Sequence, residues 1–212
     1  MSSASETNRI EAFSDGVFAI AITLLVLDLK IPRDTSGGAR LSQLLIAQWP
    51  AYLAFLTSFA TILIMWINHH RIFTLVARSD DRLLFYNGLL LLGVTIVPFP
   101  TSLVSEYLRG DGARTAAFVF NGTYIFIALA FNLLWRTAAV KDRLLHPNAD
   151  RAAVNAIFQA FRYGPLWYVA AFVLAFATVT GSLLLNLALA VYYALPARSA
   201  KPERLSIARV AA

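Results

Sequence analysis

From Tyr163 to Ala197 the chain runs for 35 residues without a charged side chain. A transmembrane helix needs about 20 apolar residues, so this run is too long for one span and tight for two. Thr180-Gly181-Ser182 near its middle suits a tight turn, which predicts a hairpin of two helices. The other apolar runs have the length of single spans and are divided by charged punctuation. Together they predict six helices at about residues 9–31, 49–70, 83–103, 116–136, 163–179 and 183–195. Composition agrees, with 58% hydrophobic and 14% charged residues, where soluble proteins carry about 25% charged. The expected fold class is an all-α integral membrane protein. One membrane domain over residues 1–212, ending in a basic tail at 198–212, leaves no room for a further soluble domain of ordinary size.

Positive charge sets the expected topology. With six spans and a cytoplasmic N-terminus, the cytoplasmic segments hold Arg9; Arg71, Arg78 and Arg82; Arg136, Lys141, Arg143, Arg151 and Arg162; and Arg198, Lys201, Arg204 and Arg209. That is 13 of the 18 basic residues, with Lys30, Arg33, Arg40, Arg109 and Arg114 outside. The balance favours both termini in the cytoplasm, although Lys30 and Arg33 outnumber Arg9 around the first helix. The same cytoplasmic excess accounts for the net charge of +6 without a nucleic-acid partner. There is no cysteine, which excludes disulfides, thiolate metal sites and cysteine nucleophiles. Met1 to Asn8 lack a basic residue and the first apolar run ends in Asp-Leu-Lys-Ile-Pro, so the first helix is expected to be retained, not cleaved as a signal.

That first helix is short on apolar length. Asp15 and Asp28 leave only the twelve residues Gly16 to Leu27 uncharged, roughly 18 Å of helix against about 30 Å of hydrocarbon. A carboxylate inside the bilayer costs on the order of 3 kcal/mol and is tolerated where it faces a bundle interior or a wet cavity. The helix is therefore a candidate pore or pathway helix.

Its entry motif, Arg9-Ile-Glu-Ala-Phe13-Ser14-Asp15, admits two interpretations. Ser14 can act as an N-cap with Asp15 at the positive end of the helix dipole and Phe13 and Phe18 as a hydrophobic staple. Alternatively, Arg9 and Asp15 join an inter-helix network, with Trp66, Asn68, His69, His70 and Asn87 as candidate partners. The histidine pair does not suggest a metal, because adjacent helical residues point about 100° apart. Hydrogen-bonded structural histidines fit better, and a proton-sensing role is compatible with their chemistry.

Further along, Ile20, Thr23, Leu24 and Leu27 fall at i, i+3, i+4 and i+7, one continuous face. Such a stripe is either packing, with Thr23 bonded to its own backbone, or a pore lining. In the second case rings of Ile and Leu make a constriction that gates by dewetting, and Thr23 hydroxyls offer oxygen to a partly dehydrated cation. Periodicity is compatible with both.

The run from Arg9 to Asp15, followed by Gly-Val-Phe-Ala-Ile20-Ala-Ile-Thr23-Leu-Leu, resembles the signature of the transmembrane protein 175 family of potassium channels in its single-repeat prokaryotic form. Trp66-Ile-Asn-His69-His70-Arg71, Asn87, and Val97-Pro98-Phe99-Pro100-Thr101 resemble that family's second- and third-helix landmarks. The likeness covers the first 100 residues; the remainder matches in helix number and length. It implies six helices per subunit, a homotetramer with the pore lined by the first helices, and a potassium-permeable leak channel of the prokaryotic cell membrane lacking the Thr-Val-Gly-Tyr-Gly filter. By the same resemblance, Ile20, Leu24 and Leu27 form the constriction and Thr23 a hydroxyl layer linked to potassium preference. Arg9, Phe13, Ser14 and Asp15 form a structural network with Trp66, His69, His70 and Asn87. The partners implied are potassium ions, lipid and further copies of the chain, with no cofactor beyond the permeant ion.

Two other functions compete. A proton-coupled secondary transporter would use His69, His70 and Asp15 as a relay, although the internal repeats and broken helices common to transporters are not visible. An enzyme finds no support from a pair of acidic residues, a Gly-x-Ser-x-Gly or a His-Glu-x-x-His motif.

Overall fold

A computed structural model describes residues 3–31, 40–140 and 143–194, and it is all-helical apart from one isolated β-bridge. Helix α1 (Ser3–Leu24) continues as a 3₁₀ turn through Leu25–Asp28. The short α2 (Leu41–Ala47) leads into α3 (Trp49–Phe73), which carries Pro50 in its first turn where a missing N–H costs nothing. Then follow α4 (Asp81–Ile96), α5 (Pro98–Tyr107), α6 (Ala113–Ala139), α7 (Arg151–Ala177) and α8 (Val179–Ala194). Among the described residues, five helical stretches are long and apolar enough to cross a membrane, with α4 and α5 together forming one of them. The sixth expected span corresponds to α8, which has 16 residues, about 24 Å of helix. Its expected end at residue 195 and the basic tail lie outside the described residues.

Four boundaries differ from the sequence expectation, each for a local reason. The first helix starts six residues earlier, so its charged entry motif lies within the helix and not at its beginning. The third helix is broken between Ile96 and Pro98, because proline has no N–H to return to Val94; the Val94 carbonyl instead accepts from Val97 N at 3.2 Å. Helix α7 begins at Arg151, not 163, capped by Asp150, whose carboxylate accepts from Ala152 N at 2.9 Å. Its 27 residues reach about 40 Å, longer than the roughly 30 Å of hydrocarbon, so the first turn, with Arg151, extends beyond it. The hairpin turns at Thr178, two residues before the expected Thr180-Gly181-Ser182. The Thr178 hydroxyl oxygen accepts from Gly181 N at 3.2 Å, which starts α8 there and takes Gly181 into the helix.

Helix α6 is the hub, packed on α4, α5 and α7, while α3 packs on α5, α8 and α1. Trp135, Tyr124, Phe120, Ile62, Leu90 and Leu134 fill the space between them and are fully buried. Lipid tails are as apolar as leucine, so close backbone approach and interhelical hydrogen bonds decide this packing. At Gly93 a Cβ would stand 2.6 Å from Ile127 Cγ1, so glycine is what lets α4 meet α6. Pro165 removes the N–H that would reach the Phe161 carbonyl, and Asn132 Nδ2 on α6 donates to that oxygen at 2.8 Å instead.

At one end of the bundle the segments after α3 and α6 are joined. Ala77 N donates to the Leu144 carbonyl at 2.8 Å and His146 N to that of Leu75 at 2.9 Å, and Arg143 pairs with Asp80. Asp80 also caps α4 by accepting from Leu83 N at 2.8 Å. Burial pulls its carboxyl group upward in pKa, but the Leu83 amide and the Arg143 guanidinium outweigh this and hold it below the usual value. The start of α4 is thereby fixed, and with it the position of Asn87 two turns on.

Candidate pore helix and its anchoring network

Helix α1 has two unlike faces. Glu11, Ser14, Asp15 and Phe18, at i, i+3, i+4 and i+7, turn toward the rest of the chain, and Ala21 and Leu25 continue that side. Phe18 is 2% and Leu25 0% exposed. On the opposite side Ile20 is 62% and Leu27 71% exposed, with Leu24 and Thr23 also open.

The anchored face ends in polar contacts of defined sense. Ser14 is not an N-cap: in mid-helix its hydroxyl donates to the Ile10 carbonyl at 2.8 Å. With that proton committed, Ser14 Oγ accepts from Asn87 Nδ2 on α4 at 3.0 Å. Asn87 Oδ1 must then face an N–H, which His69 Nε2 on α3 supplies at 2.9 Å. His69 is fully buried, between Phe73 at 4.4 Å and Phe18 at 5.4 Å between ring centroids. Its Nδ1 has no partner among the described residues, so the geometry specifies the Nε2–H tautomer.

About one turn before His69 on α3, Trp66 Nε1 donates to Asp15 Oδ1 at 2.9 Å. His70 Nδ1 lies 2.6 Å from Glu11 Oε1. The two histidines thus diverge, as adjacent helical positions do; one enters the core and the other closes against α1. At the opposite end of α1, Lys30 pairs with Glu106 of α5. Helix α1 is held at both ends and along one side.

Two expected members stand apart from this network. Phe13 is 68% exposed, so it does not staple against Phe18. Arg9 is exposed and pairs with none of the described residues. Both lie on the same side of α1 as Ile20 and Leu27, roughly opposite Phe18 around the helix. Thr23, also on the open side, returns its proton to the backbone, with the Ala19 carbonyl at 3.0 Å and that of Ile20 at 2.9 Å. Among the described residues nothing donates to the hydroxyl oxygen.

This arrangement has clear relatives. Residues 9–98 match the family model described as endosomal/lysosomal potassium channel TMEM175. A potassium channel of Chamaesiphon minutus is 56% identical over 195 residues, 90% of this chain and 95% of the relative. The chain belongs to the TMEM175 family. The crystal structure of a lysosomal potassium-selective channel TMEM175 homolog from Chamaesiphon minutus superposes with a TM-score of 0.82 at 52% identity, covering 92% of this chain and all of that one. A zebrafish endosomal/lysosomal proton channel TMEM175 is 36% identical over 148 residues, 66% of this chain but 28% of that protein.

Beyond the motifs legible in sequence, this TMEM175 chain contains two buried polar clusters. Asn186 Nδ2 on α8 donates to Asn121 Oδ1 on α6 at 2.8 Å, Asn121 Nδ2 to Ser182 Oγ at 2.9 Å, and Ser182 Oγ to the Ala171 carbonyl of α7 at 2.7 Å. In the second, Tyr124 OH lies 3.3 Å from Ser58 Oγ, which is 2.7 Å from Thr101 Oγ1. A signal for the first was available: asparagine in the middle of an apolar span is costly unless a partner is buried with it.

Proposed function

We propose that the chain is one subunit of a potassium-permeable leak channel in which four α1 helices surround the pore. The observation that carries this is the one-sided anchoring of α1, which leaves Ile20, Thr23, Leu24 and Leu27 uncovered. The family and its potassium-channel relative from Chamaesiphon minutus support it. In a tetramer Ile20, Leu24 and Leu27 would form stacked apolar rings. Water leaves so narrow an apolar neck readily, which keeps conductance low. Thr23 would add a ring of oxygens, because each hydroxyl spends its proton on the backbone and offers lone pairs to a partly dehydrated cation.

Arg9 and Phe13, on the open side, would meet neighbouring subunits, while Ser14, Asp15, Trp66, His69, His70 and Asn87 hold α1 within its own subunit. Helix α8 would complete six spans, with both termini in the cytoplasm of a prokaryotic cell. The potassium ion is then substrate, and the other partners are lipid and three further copies of the chain.

The test is recording from purified protein in planar bilayers, with potassium on one side and sodium on the other. Unitary currents reversing toward the potassium equilibrium potential are expected, and an added pH gradient reads any proton share. Absence of unitary current together with saturable, proton-coupled flux would replace the channel by a transporter working through His69, His70 and Asp15.

A further inference from the structure

Helices α4 and α6 and the segment after α6 border an open groove of about 430 Å³, within the size range of small-molecule sites. Its rim carries Arg82, Arg136 and Arg143 against a single lining carboxylate, Asp81. Arg143 is paired with Asp80. Arg82 lies within the field of Asp80, yet neither Arg82 nor Arg136 forms an ion pair with a described residue. Even with Asp80 counted, the groove keeps a net positive charge. The floor is apolar: Phe85 stands one turn into the span from Arg82, and Leu133 one turn into the span from Arg136. Both are exposed within the chain.

Two guanidinium groups without salt-bridge partners at a membrane end, with aromatic and aliphatic surface directly beneath, match an amphiphile with an anionic head and a hydrocarbon tail. We propose that this groove binds an anionic phospholipid, its phosphate between Arg82 and Arg136 and the upper part of one acyl chain against Phe85 and Leu133. Basic pockets between transmembrane helices suit such headgroups, and guanidinium matches phosphate oxygens in a bidentate manner. Arg143, held by Asp80, ties the occupied groove to the joined segments after α3 and α6. The inference needs the membrane-spanning fold and not conduction, so it stands or falls separately from the channel assignment.

Native mass spectrometry of the purified full-length protein tests it, with phosphatidylglycerol and phosphatidylcholine as probes. Wild type is expected to retain phosphatidylglycerol in preference to phosphatidylcholine, and Arg82→Gln with Arg136→Gln to weaken that retention about fivefold for each charge removed. Arg82→Lys with Arg136→Lys keeps the charge and is expected to retain most of it. Equal retention of the two lipids by wild type overturns the proposal, as does unchanged phosphatidylglycerol retention in the glutamine variant. Displacement of the lipid by inorganic phosphate at equal concentration would make this a site for a soluble anion. Loss of the oligomer in the glutamine variant, in phosphatidylcholine alone, would make it a contact between copies of the chain.

Discussion

On the anchored side of α1, Glu11, Ser14 and Asp15 are each met by a partner on α3 or α4; on the open side, Ile20, Leu24 and Leu27 are exposed and, among the described residues, Thr23 bonds its own helix. The same helix is thus built as a fixture on one side and left unfinished on the other. The anchored side tolerates polar atoms because hydrogen bonds satisfy them, whereas the open side is apolar with one hydroxyl layer. Such a helix is positioned by its subunit and completed by its neighbours. Substitutions on the two sides should therefore fail in different ways, the first in stability and the second in permeation.

The largest stability effect is expected at Asn87. Asn87→Leu leaves His69 Nε2–H and one Ser14 lone pair buried without partners, which costs about 1–3 kcal/mol. Interhelical bonds in membranes are themselves worth only about 0.6 kcal/mol on average, so the stranded groups set the magnitude. Thermal unfolding in detergent, followed by loss of the oligomer, reads the effect. Trp66→Phe keeps the ring but removes the donor to Asp15, and should cost about 1 kcal/mol in the same measurement.

A smaller effect belongs to Asp80, which caps the helix carrying Asn87. Its native pKa is depressed, so its contribution is complete above about pH 4, the unfolded value, and is lost as pH falls through the lower folded value. Asp80→Asn should therefore melt below wild type at neutral pH, by less than about 1 kcal/mol because the site is partly solvent-screened. The difference should shrink on acidification. On the open side, Ile20→Asn and Thr23→Val should change stability by no more than about 0.5 kcal/mol. Bilayer recordings should nevertheless show a larger leak for Ile20→Asn and a lower potassium preference for Thr23→Val. A melting loss in Ile20→Asn as large as in Asn87→Leu would erase the distinction between the two sides.

Much of this was legible from residue order alone. The apolar runs placed the helices, and the i, i+3, i+4, i+7 spacing grouped Ile20, Thr23, Leu24 and Leu27 on one face of α1 without deciding whether that face is packed or open. The entry motif also pointed toward Trp66, His69, His70 and Asn87, because charged and amide groups inside spans need partners. What the sequence hid depends on how neighbouring helices meet. Ser14 looks like an N-cap until the helix is seen to begin at Ser3, and Phe13 looks like a staple until its orientation is known. Thr178 starts α8 through a side-chain oxygen that a search for glycine passes over. Arg151 and Arg162 argued against helix, yet a helix can extend past the bilayer with Arg151 and carry Arg162 as an exposed side chain. Asn121 lies 61 residues before Ser182, and it joins Ser182 and Asn186 in one cluster only when α8 folds back on α6.

The absence of native cysteine gives the central claim a direct test. Leu27→Cys and, as a control on the outer surface of α6, Phe126→Cys would each be reconstituted and treated with a charged thiol reagent during recording. If the open side of α1 lines the conduction path, current through Leu27→Cys falls on treatment while Phe126→Cys is unaffected. Undiminished current through Leu27→Cys, with mass spectrometry showing the thiol modified, would contradict the account and return the stripe to packing.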